Sequence, residues 1–129
     1  MNSLMKDFYP IFEMYQALRS QFMVLLTDDD LACNVGGENL SLGALCVEIG
    51  EIEASYIASF KTFKQDFSYR QEEPGLDRSV ADLKTWFRDL DLELKSVLEG
   101  LSEDDLRNRL VDRGGGFELP LHIQLDVYK

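Results

Sequence analysis

An all-α fold, a four-helix bundle in a single domain spanning residues 1–129, is what this chain predicts, on three observations. Apolar residues recur at three- and four-residue steps through three long stretches. Serine, proline and glycine stand where helix ends call for them. No stretch sustains the period-two alternation of a half-buried strand, so no sheet is expected. At 129 residues the chain is long enough to bury a core without disulfide or metal staples.

The first helix is predicted from Pro10 to Leu26, with Pro10 in the first turn, where its missing N–H costs nothing. Ile11, Tyr15, Leu18, Phe22 and Leu25 form its apolar stripe. The second starts after Ser41, a good N-cap, and runs to about Phe63. Its stripe is Leu42, Leu45, Ile49, Ile52, Tyr56, Phe60 and Phe63. Gly50 inside this helix costs ~1 kcal/mol relative to Ala if exposed, so it marks a close approach by a neighbour.

The third helix has the cleanest pattern. Ser79 caps it, Asp82 follows at the third position, and Gly100 closes it. Val80, Leu83, Phe87, Leu90, Leu94, Val97 and Leu101 keep an unbroken 3-4-3-4-3-4 spacing, the seam of a bundle helix with near-parallel neighbours. Trp86 sits beside that seam, at a core edge or an interface. The fourth helix opens near Pro120 with Leu121, Leu125 and Tyr128. About ten residues give it ~15 Å, half the ~30 Å of a twenty-residue partner, so it reads as truncated and leaves an apolar groove.

The link from Lys61 to Arg78 carries Phe63, Phe67 and Tyr69. It predicts a crossover packed over the bundle, long enough for the second and third helices to run in the same direction. A faint repeat joins Leu26-Thr27-Asp28-Asp29-Asp30-Leu31 after the first helix to Leu101-Ser102-Glu103-Asp104-Asp105-Leu106 after the third. Each sets a capping hydroxyl before an acidic first turn.

Composition narrows the function. A formal charge of −11 argues against nucleic-acid phosphates and against anionic membrane surfaces. No apolar run approaches a membrane span, and Met1 to Pro10 lacks the basic-then-apolar layout of a signal peptide. Cys33 and Cys46 have no CxxC spacing. A cytoplasmic protein with two structural thiols is expected.

His122 is the only histidine, with Asp126 four residues on. That excludes any site needing two histidines, and puts a His–Asp pair on one helix face. The pair can share a metal, or hydrogen-bond with no ligand at all. Glu48 borders the apolar arc of the second helix. Glu53 falls inside it, between Ile49 and Tyr56, where a carboxylate needs a partner or a raised pKa. It is a candidate general base or orienting group; alternatively it pairs with Arg19 or Arg88, or leans out to water. The aspartate run at 28–30 lacks calcium-loop spacing. The glycine runs lack the GK[ST] of a phosphate cradle.

The helix order, the long crossover, the Leu101–Leu106 turn and the segment Leu40-Ser41-Leu42-Gly43-Ala44-Leu45-Cys46-Val47-Glu48-Ile49 resemble the DinB/YfiT-like family of four-helix bundles. The resemblance covers nearly the whole chain. Family members carry a W-S-x-x-E-L-L-x-H-I stretch whose histidine binds metal, and an H-x-x-x-H pair on the fourth helix. Matching by position implies Glu48, His122 and Asp126 as the metal ligands, two of them departures from histidine. Zn, Ni or Mn is the divalent cofactor implied if the site is retained. The family usually extends beyond the position of Lys129, and its common state is a homodimer.

Two readings follow from the resemblance. One is a non-catalytic, dimeric bundle with a degenerate metal site. The other is a metal-dependent thiol transferase or hydrolase in which metal activates a small-molecule thiol and Glu53 or Tyr56 assists.

Overall fold

The computed structural model describes residues 2–129, and its architecture is all-α. Six helices appear among the described residues: α1 Ser3–Asp7, α2 Tyr9–Leu25, α3 Leu42–Thr62, α4 Val80–Glu99, α5 Glu103–Asn108 and α6 Leu121–Tyr128. Two single 3-10 turns, Asp29–Ala32 and Leu76–Arg78, lie in the connections.

Helix ends fall where the capping chemistry places them. Ser41 Oγ accepts from the Ala44 amide at 3.1 Å, and Ser79 Oγ from the Asp82 amide at 3.1 Å. Ser102 and Asp105 form a reciprocal capping box at the start of α5. Thr27 and Asp30 repeat that geometry, each backbone N–H donating to the other's side-chain oxygen at 2.8 and 3.3 Å. The two acidic turns therefore share their local hydrogen bonding, although one leads into a 3-10 turn and the other into an α-helix.

Asn2 does more than cap α1. Its Oδ1 accepts from the Met5 amide, while its Nδ2 donates to the carbonyls of Leu98 and Leu101 at 2.8 and 2.7 Å. One side chain thus starts α1 and adds donors to two carbonyls at the end of α4.

The crossover makes α3 and α4 parallel. Gly50 meets Trp86 and, further along both helices, Lys61 pairs with Glu93. α2 runs antiparallel to them, with Lys95 near Tyr9 and Asp91 near Arg19. The crossover is fixed by buried Gln65 and Leu76, while Phe67 and Tyr69 remain nearly half exposed.

The expectation of no sheet is corrected by a small hairpin. β1 Leu110–Asp112 pairs antiparallel with β2 Glu118–Pro120 across the glycines at 114–116. All three glycines take positive φ, which residues with a Cβ adopt only at a cost. Strands of three residues are too short to show a period of two.

The core follows the α4 seam, with Leu83, Phe87, Leu90, Leu94 and Leu101 all buried. α6 seals one end of the bundle with Leu121, Gln124 and Leu125. Tyr128 joins an aromatic cluster with Phe12, Tyr56 and Phe60. A polar ladder crosses the interior behind them. Gln124 Nε2 donates to Ser59 Oγ at 3.1 Å and to Gln65 Oε1 at 2.7 Å, and Gln65 Nε2 donates to Ser55 Oγ at 3.2 Å.

The stripes of the first two long helices are only partly covered. On α2 the buried residues are Tyr9, Phe12 and Met23, whereas Tyr15, Leu18, Phe22 and Leu25 are exposed. On α3 Leu45, Ile49 and Ile52 are likewise exposed. α6 ends after eight residues. Where it stops, a cavity of about 310 Å³ opens between Phe12, Tyr15 and Arg19 of α2 and Ile49 and Glu53 of α3, with Tyr128 at its end.

Candidate functional site

Glu53 lies inside the bundle, 4 % exposed, on the face of α3 that also buries Cys46, Gly50 and Ile57. Its Oε1 accepts from Arg19 Nη1 at 2.9 Å. The same guanidinium donates through Nη2 to Asp91 Oδ2 at 2.5 Å, and its Cζ stands 4.4 Å from the centre of the Phe87 ring. One cation therefore joins α2, α3 and α4 at a point where both carboxyls are largely shielded from water. Arg19 suits the role because its planar fork serves two acceptors and stacks on an aromatic face.

The electrostatics of this junction are unbalanced. Two carboxyl groups face one guanidinium, and Glu53 Oε2 and Asp91 Oδ1 are buried without a hydrogen-bond partner. Burial, then the adjacent Asp91, push the Glu53 carboxyl up to about 8, outweighing the pull of Arg19. Burial opposes the charge on Arg19, but hydrogen bonding to Asp91 and the negative charge of Glu53 hold its pKa above the ordinary arginine value. The Tyr128 hydroxyl is also raised, by burial first and by the charge of Glu53 next.

The residues expected to bind metal are not brought together. Glu48 is exposed in a groove between α3 and the crossover, with Phe67, Tyr69 and Gln71. His122 is exposed on another side, in a cleft with Ser3, Phe8, Glu103 and Arg107. Asp126 turns outward and pairs with Lys129 at 3.4 Å. Among the described residues, no group of three or more His, Cys, Asp or Glu side chains could hold a metal ion. The structure does not assemble Glu48, His122 and Asp126 into the ligand set that zinc, nickel or manganese would need.

The physical reason lies in the rotation of α6. Its inward positions are Leu121, Gln124, Leu125 and Tyr128, so the i, i+4 pairs entering the bundle are Leu121/Leu125 and Gln124/Tyr128. His122 and Asp126 occupy the outer flank. Tyr56 packs against Tyr128 with ring centres 4.7 Å apart and against Phe67 at 5.8 Å. Its ring neighbours are Phe60, Phe67 and Tyr128.

Sequence reasoning singled out Glu53 and named Arg19 as a partner, but missed Asp91. That residue occupies the position after Leu90 on the α4 seam, where a charge ordinarily reads as solvated. A signal was present in Arg19, the lone charge between Met14 and Leu26. A cation isolated within so apolar a stretch needs an anion on the neighbouring helices. Comparison of the chain with protein-family models, with curated proteins and with solved structures finds no match.

Proposed function

We propose that this chain is a DinB-like helical bundle that works by association rather than catalysis, pairing with a second copy through the open α2/α3 face. The observation that supports this reading is the apolar surface of α2. From Met14 to Leu25 the only charged residue is Arg19, and it is turned inward to Glu53 and Asp91. Met14, Tyr15, Leu18, Phe22, Val24 and Leu25 are each about half exposed or more. Gln16, Ser20 and Gln21 are its other polar residues there, and an exposed stretch this apolar calls for a partner surface.

The area suits a homodimer. Tyr15, Leu18, Phe22 and Leu25, with Leu45, Ile49 and Ile52 across the groove, leave on the order of 700 Å² open, above the ~300–600 Å² typical of a monomer's largest patch and near the ~800 Å² each partner gives a standard interface. Charge points the same way. Two chains of −11 each repel, and an uncharged face lets them meet without apposing carboxylates. The same patch on both copies closes the contact around a twofold axis.

Sedimentation velocity at micromolar concentration tests this reading. A dimer is expected, converted to monomer by Leu18→Glu with Phe22→Glu while circular dichroism keeps its helical signal. A wild-type monomer that stays soluble at the same concentration overturns it. The alternative, a metal-dependent thiol transferase, draws no support from the geometry, because its ligands face different sides of the bundle.

A further inference from the structure

We propose that Glu53 and Asp91 hold one proton between them, forming with Arg19 a proton-linked clamp on the middle of α2. The argument begins with donors and acceptors. Arg19 gives Nη1 to Glu53 and Nη2 to Asp91, and the second oxygen of each carboxyl is left buried without a donor. The two carboxyls accept from the two terminal nitrogens of one guanidinium, which sets them side by side. A single carboxylic proton supplies the missing donor. It also reduces the junction to one anion and one cation, removing the buried charge that a second ionised carboxylate would leave uncompensated.

The other groups facing Glu53 do not replace that proton. Tyr9 on α2 and Tyr128 on α6 are both held in their neutral forms, by burial above all. Lys129 borders the same cavity, but its ammonium is directed to Asp126 and to the ring of Phe8. Arg19 is therefore the cation of the junction, and Asp91 the carboxyl with which Glu53 competes for it.

The clamp acts on α2 because little else holds its middle turns. Between Phe12 and Met23 the helix buries no side chain as fully as those two, and Arg19 is its inward anchor. Loss of the proton sets two carboxylates against each other across α3 and α4 and strains the contact that fixes α2. This inference does not depend on the dimer.

Carbon-detected carboxyl NMR of the whole chain, titrated from pH 3 to pH 10, tests it. The Glu53 carboxyl is expected to titrate about two or more pH units above the exposed glutamates. Amide protection at Ser20–Met23, corrected for intrinsic exchange, should fall by about tenfold as that group ionises. Glu53→Gln keeps a donor in place and has no proton to lose, so its α2 protection should stay level across the range. Titration of Glu53 together with the exposed glutamates overturns the proposal. So does an unchanged pH dependence of α2 protection in Glu53→Gln.

Discussion

Trp86 occupies the space that a side chain at position 50 would need. A Cβ on Gly50 would stand 2.3 Å from Cη2 and Cζ3 of the indole. The ring is rigid and stacked beside Phe87, so it cannot fold away as a flexible chain end would. Gly50→Ala gains ~1 kcal/mol of helix propensity and loses ~1–3 kcal/mol to overpacking, for an expected net destabilisation of about 1 kcal/mol. In a Trp86→Ala background the clash is gone and the same change should become stabilising. A double-mutant cycle by urea unfolding checks the reversal; additive effects would contradict the contact.

The Glu53 carboxyl predicts how stability varies with pH. Its value is raised from 4.5 to about 8 by burial and by Asp91. Between those values the folded chain keeps a proton that the unfolded chain has released. Stability from this group is thus fully present below about pH 4.5 and is lost as pH rises through about 8. The loss should amount to a few kcal/mol at most, since relaxation reduces it. Thermal melts of the wild type against Glu53→Gln should show the downward slope in the former and its absence in the latter.

Removing Arg19 should be far more damaging than altering Glu53. Arg19→Leu strands two buried carboxyls, and a loss of about 3–5 kcal/mol is expected. Replacing Arg19, Glu53 and Asp91 together by leucine or methionine should recover most of it, because no charge is then left alone. Chemical denaturation of the single and triple variants measures the difference.

His122 predicts a null effect. It is exposed, and with Glu48 and Asp126 pointing elsewhere it is not part of a metal cluster among the described residues. His122→Ala should change stability by less than ~0.5 kcal/mol. It should also leave the metal content of untagged protein, by elemental analysis, as it was.

Much of the architecture was legible because local chemistry set it. Ser41, Ser79 and Ser102 each mark a helix start, and the α4 seam is buried except at Val80 and Val97, which are partly so. Gly50 pointed to a close neighbour for a reason that needs no tertiary knowledge. The α2 and α3 stripes were read correctly as apolar, and the short fourth helix as leaving a groove along them; Leu18, Leu25, Leu45 and Ile49 are exposed as that reading requires. Periodicity shows that Leu18 and Ile49 belong to apolar faces, and says nothing of whether a helix lies opposite. The rotation of α6 was legible in Leu121, Leu125 and Tyr128, which do face inward. It was the position-by-position match to a family pattern, not the periodicity, that turned His122 and Asp126 toward a shared site. Asp91 was invisible for a different reason: its importance exists only through Arg19, seventy-two residues away.

The bond from Asn2 to the end of α4 has a consequence for how the chain is made. Asn2 cannot reach the carbonyls of Leu98 and Leu101 until both have left the ribosome. At ~5–20 residues per second, Leu101 is added roughly 5–20 s after Asn2 and emerges later still. Throughout that interval α2 waits without α4, the helix that carries Asp91 and Phe87, its largely uncharged surface open to whatever else is nearby. A nascent chain arrested before residue 80 should therefore bind a hydrophobic-peptide chaperone through residues 14–25 more tightly than the completed chain does, in which Phe12, Arg19 and Met23 are docked.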